Sequence, residues 1–272
     1  MQRLTKLLLA IAMLVFVLAF AACERDEYAN ENGEINEYNY SENRNEPEEI
    51  NMEETVVRHL RVAAVGDSTT FGSGSTNLEL YSYPAVLAAK LAETENEYLT
   101  WEVMNFGVGG TTVQNAGLNA GQPAAYRNTP QFQNAIAFEP DIVLFMLGTN
   151  DAKTGNRDPG VEAFIQDYIE LVNEFRNLPN APRIYVMTPV ALVETNLNQW
   201  LHEFISGTEY VADVVSAIKH FATAESLSLI DINEVTSHYP QFISDGVHPN
   251  NDGYRLIAET VFTVLYANYI EY

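Results

Sequence analysis

The segment Ile142-Val143-Leu144-Phe145-Met146-Leu147 constrains the fold more than any other. Six apolar residues follow one another with no polar break. A strand with one wet face would alternate, so a continuous run asks for cover on both faces, as in a parallel sheet between helical layers. Four other stretches read as strands: Arg61-Val62-Ala63-Ala64-Val65 before Gly66, then residues 101–106, 183–187 and 227–232. Between them lie stretches of helical spacing. Residues 83–93 carry Pro84 near the first turn. Residues 161–177 place Phe164, Tyr168, Leu171, Val172 and Phe175 on one stripe. Residues 210–224 and 251–266 complete the set. Strands alternating with helices predict an α/β domain with a mostly parallel sheet, over about residues 56–272, a length suited to one domain.

The residues before this domain are of different material. Arg3 and Lys6 precede an apolar run over residues 7–22, short for a membrane-spanning helix and flanked like a secretory signal. It ends in Phe20-Ala21-Ala22-Cys23, and Cys23 is the chain's single cysteine, so no intrachain disulfide can form. Small residues before a cysteine resemble a bacterial lipobox, in which the cysteine is lipidated and becomes the new N-terminus. Phe20 departs from the aliphatic residue usual there. An ordinary signal peptide cut near the alanine pair is the alternative. The resemblance implies export, with a lipid anchor in the bacterial membrane and the domain facing outward.

Residues 23–55 are rich in Glu and Asn. Residues 24–54 hold 12 acidic and 2 basic side chains, a net of −10, and have almost no aliphatic periodicity. Such a segment buries too little apolar surface to offset its ordering entropy. It reads as a charged tether. The whole chain carries a formal charge of −23, which argues against a nucleic-acid partner, because phosphate binding needs clustered Lys and Arg.

Function in parallel sheets collects at the carboxyl ends of the strands. There the chain delivers Gly66-Asp67-Ser68, Asn105-Phe106-Gly107-Val108-Gly109-Gly110, Gly148-Thr149-Asn150-Asp151 and, before the last helix, Asp245-Gly246-Val247-His248-Pro249. Each alone has a bland reading. Gly-Asp-Ser can be a turn or cap, the glycine stretch lacks the full spacing of a dinucleotide site, and Asp and Asn can close a loop by themselves. Together and in this order the four blocks resemble the SGNH hydrolases, the GDSL-type esterase superfamily, from the first strand to the final helix.

That resemblance implies a three-layer α/β/α sandwich with a five-stranded parallel sheet, of flavodoxin-like type. It implies Ser68 as nucleophile, His248 as general base and then acid, and Asp245 as the residue that orients the imidazole. The backbone N–H groups of Ser68 and Gly110 and the side-chain amide of Asn150 would form the oxyanion hole. Ester hydrolysis needs these parts: a nucleophile, a base for its proton, and donors for developing negative charge. Asp67 and Asp151 are expected to brace loops. His59, His202, His220 and His238 lack a partnered carboxylate at short spacing and read as surface or packing residues. Ser68 is followed by Thr69-Thr70, so the G-x-S-x-G elbow of ordinary α/β-hydrolases is absent. No cofactor is expected. No His/Cys cluster points to a metal, and one Asp/His pair supplies too few ligands.

Segments around Gly148–Lys153, residues 182–189 and Tyr81-Ser82-Tyr83-Pro84 look like the branch that removes acyl groups from carbohydrate. The expected substrate is therefore an O-acyl, above all O-acetyl, ester on a sugar, with Trp200 a candidate aromatic wall. A lysophospholipase or thioesterase on the same scaffold is the alternative within the class. A non-catalytic glycan-binding surface protein is the alternative outside it, and could dispense with Ser68 or His248.

Overall fold

A computed structural model of the chain describes residues 57–114, 125–198 and 201–270. Cys23, the apolar leader, the acidic segment and Trp200 lie outside the described residues. In chain order the main elements are β1 (Arg58–Gly66), α1 (Ser68–Phe71), α2 (Leu78–Tyr81), α3 (Tyr83–Ala92), β2 (Leu99–Gly107), α4 (Pro130–Ala137), β3 (Ile142–Met146), α5 (Val161–Arg176), β4 (Arg183–Met187), α6 (Gly207–Ala224), β5 (Ser228–Ile230), α7 (Ile232–Ser237) and α8 (Asn251–Tyr269).

All four strand pairings are parallel, in the order β2-β1-β3-β4-β5. This is the α/β/α sandwich that the motifs imply, with its topological switch between β1 and β3. The apolar runs explain the layers residue by residue. Successive side chains of a strand point to opposite faces. Val62, Ala64, Ile142, Leu144 and Met146 join one core with Leu87 and Leu91 of α3 and Ile257, Val261 and Leu265 of α8. Ala63, Val65, Val143 and Phe145 join the other, with Phe132 of α4, Phe164, Tyr168 and Phe175 of α5 and Ile218 of α6. The predicted stripe of α5 is buried throughout.

Strands at the sheet edges differ from the expectation. β2 runs two residues further back and is half exposed, with Met104 facing out. β5 keeps only three residues. Asp231 ends it, because its side chain caps α7 by accepting from the Glu234 N–H at 3.2 Å and takes the Thr188 hydroxyl at 2.8 Å. α4 and α7 carry no long apolar stripe and were not expected from periodicity. Thr129 caps α4 through its hydroxyl, with Pro130 in the first turn.

Candidate active site

Ser68 owes its position to two glycines. Gly66 and Gly107 are register partners at the ends of β1 and β2. A Cβ on Gly66 would come within 2.0 Å of the Thr70 hydroxyl oxygen, and one on Gly107 within 2.2 Å of the Phe71 nitrogen. Only bare backbone lets α1 fold down onto the strand ends. Asn105 then clamps the helix. Its amide donates to Thr70 O at 2.9 Å and its carbonyl oxygen accepts from the Gly107 N–H at 2.9 Å. Asp67 caps α1 by accepting from the Thr69 N–H at 2.9 Å.

The turn before α8 carries the other half. Asp245 Oδ1 accepts from the backbone N–H groups of Val247 and His248, at 2.9 and 2.7 Å. Its Oδ2 meets His248 Nδ1 at 2.8 Å. Burial works against the Asp245 carboxylate, but these hydrogen bonds and the imidazole outweigh it and hold the group below its usual range. Gly246, at φ +91°, makes the turn possible. Val247 points inward and packs with Ala152, Leu192, Phe204 and Val211. Burying a side chain of that size contributes about 1.5–3 kcal/mol, which ties the turn to the Asn150 loop.

The two halves meet across 180 positions of chain. His248 Nε2 lies 3.0 Å from Ser68 Oγ. Several contacts hold α8 and the loop after α1 together. Asn251 Oδ1 accepts from the Thr76 N–H at 3.0 Å, and Asn251 Nδ2 donates to the Thr76 hydroxyl at 2.8 Å. The Tyr254 hydroxyl donates to Ser73 O. Gly74 leaves room for His248, since a Cβ there would stand 3.0 Å from the His248 Cβ.

Gly110 sits at φ +80° in the turn after β2. A Cβ on its neighbour Gly109 would lie 3.8 Å from Ser68 Cβ, so this turn faces the serine. Asn150 is buried beyond it, and one of its amide hydrogens goes to Thr111 O at 3.0 Å, leaving the second for another acceptor. The Ser68 N–H opens a helix and has no carbonyl a turn behind it. Among the described residues, no backbone carbonyl accepts from the Gly110 N–H. Asp151 is fully buried and binds the glycine turn's far end, taking the N–H groups of Val113 and Gln114 at 3.0 Å each. Burial pushes its carboxyl up to about 6, against the pull of these two bonds.

Sequence reasoning missed the clamp made by Asn105 and the Asn251–Thr76 link, which depend on contacts between distant segments. It also passed over one pair. His238 meets Glu234, four residues earlier, at 3.1 Å on the exposed surface of α7.

The GDSL-like Lipase/Acylhydrolase family model matches residues 64–256, a span that holds Ser68, Gly110, Asn150, Asp245 and His248. The chain belongs to this family. It is 28% identical over 220 residues to the acetylxylan esterase of Xylanibacter ruminicola, covering 74% of this chain and 42% of that one. It is 22% identical over 215 residues to a multidomain esterase of Ruminococcus flavefaciens, covering 72% of this chain and 27% of that one. The chain thus spans less than half the length of these two curated relatives. Among solved structures, a carbohydrate acetylesterase family member from Sinorhizobium meliloti matches with a TM-score of 0.61 and 22% identity, over 76% of this chain and 98% of the other. That likeness carries the fold.

Proposed function

We propose that this member of the family is a serine esterase that removes O-acyl groups, O-acetyl above all, from carbohydrate through an acyl-enzyme on Ser68. The observation that carries the reading is the line Ser68 Oγ, His248 Nε2, His248 Nδ1, Asp245 Oδ2, with contacts of 3.0 and 2.8 Å. His248 takes the Ser68 hydroxyl proton as Oγ bonds to the ester carbonyl carbon. The Asp245 carboxylate holds the ring in the tautomer that leaves Nε2 free and stabilises the imidazolium that forms. The carbonyl oxygen becomes an oxyanion, received by the N–H groups of Ser68 and Gly110 and by the Asn150 amide. The bond to the sugar oxygen then breaks, and that oxygen leaves with the proton from His248. Water repeats the sequence on the acyl-serine. Its proton passes through His248 back to Ser68, and the free acid departs.

Similarity to an acetylxylan esterase supports the carbohydrate substrate. The leader and Cys23 support an exported, lipid-anchored enzyme carried outward on the acidic segment. Hydrolysis of esters from acetyl to palmitoyl, alongside acetate release from acetylated xylan, tests the reading, with Ser68→Ala as the blank. Activity confined to short acyl groups, with acetate freed from the polymer, is expected. A preference for long chains with none freed from xylan would move the function to a lysophospholipase or thioesterase.

A further inference from the structure

We propose that a groove along the outer edge of β2 holds a sugar unit of the polymer whose acyl group is being removed, an inference that rests on the esterase reading above. The groove has a volume of about 370 Å³, in the size range of small-molecule sites. It starts at Phe71, the last residue of the single-turn helix that Ser68 opens, and at Gly107 on the end of β2. It continues between α2, α3 and β2, past Leu78, Glu79, Ala88 and Val103. Asn105 lines it too, and the same side chain fixes the carbonyl of Thr70. Groove and nucleophile therefore share one rigid support.

The lining selects the ligand. Phe71 is 43% exposed and Leu78 38%, so both present apolar surface at the groove. A pyranose presents a flat C–H face to such a ring and hydroxyls around its rim. Glu79 and Gln131 line the same groove and can meet hydroxyls. A long acyl chain would use Phe71 and Leu78 but nothing of Glu79 and Gln131, which stand exposed at the groove. An anionic ligand would meet the Glu79 carboxylate in a chain of net charge −23. A neutral sugar satisfies both kinds of wall.

The test uses the full chain and two variants on different helices, Phe71→Ala on α1 and Ala88→Phe on α3. The first removes the platform and the second fills the groove. On acetylated xylan each should raise KM by about tenfold, the scale of one lost aromatic contact. On p-nitrophenyl acetate, which carries no sugar unit, kcat/KM should stay within about twofold of wild type. If Phe71→Ala also slows the small ester, α1 has shifted and Ala88→Phe decides. Unchanged KM on xylan in Ala88→Phe overturns the groove while leaving the esterase reading intact. Selective loss of p-nitrophenyl octanoate hydrolysis, with xylan unaffected, overturns it in favour of an acyl-chain site. A wild type that cleaves p-nitrophenyl esters but frees no acetate from xylan overturns the carbohydrate reading of the function, and the groove assignment falls with it.

Discussion

Asp245 holds His248 twice. One carboxylate oxygen takes the backbone N–H of His248 at 2.7 Å, and the other meets the ring Nδ1 at 2.8 Å. The same side chain therefore shapes the turn and orients the imidazole. Replacements can separate the two tasks. Asp245→Asn keeps an oxygen for the turn but loses the charge behind the ring, so it should fold while kcat falls by about 10²–10⁴-fold. Asp245→Ala should lose stability as well, about 1–3 kcal/mol for the two backbone donors left without a partner. Steady-state kinetics with urea melts of both variants checks the separation.

Asn150→Ala should lower kcat by about 10²–10³-fold with little change in KM, because an oxyanion donor acts on the transition state. Its amide also anchors Thr111 O, so a small loss of stability should accompany the kinetic effect. A raised KM with kcat unchanged would place Asn150 in ground-state binding instead.

Gly107→Ala should damage the site without altering any reacting group. The added Cβ meets backbone, the Phe71 nitrogen at 2.2 Å, and backbone cannot swing aside like a side chain. A stability loss of about 1–3 kcal/mol and a large drop in kcat are expected. A circular-dichroism melt beside an ester assay reads both.

The position of β3 was legible in the sequence, because two buried faces leave an uninterrupted apolar run. α5 was legible because its stripe is long. The limits of β5 were not, since Asp231 looks like part of a strand until its bonds to Thr188 and the Glu234 N–H are seen. The motif blocks named the residues of the candidate site, and the nearness of Asp245 to His248 was readable from spacing alone. The approach of Ser68 to His248 was not readable from spacing. It depends on Gly66, Gly107, Gly74 and the Asn251–Thr76 pair, none of which announces its contact partner locally.

Asp151 makes stability depend on pH. Its carboxyl lies at about 6 in the fold against an ordinary value of 3.8, so between these values the folded chain binds more protons than the unfolded one. The contribution is fully present below pH 3.8 and lost as pH rises through about 6. The shift corresponds to about 3 kcal/mol. Asp151→Asn should flatten this part of the profile, measured as the difference in urea-unfolding free energy between pH 4.5 and pH 7. An unchanged difference would assign the slope to other groups, Asp67 among them, whose carboxyl burial also raises.

The most direct measurement is intact-mass and peptide mapping of the protein after a fluorophosphonate that captures activated serines. A single adduct on Ser68, absent in His248→Ala and matched by full loss of esterase activity, is the predicted result. An adduct on another residue, or ester hydrolysis that persists in Ser68→Ala, would contradict Ser68 as the nucleophile.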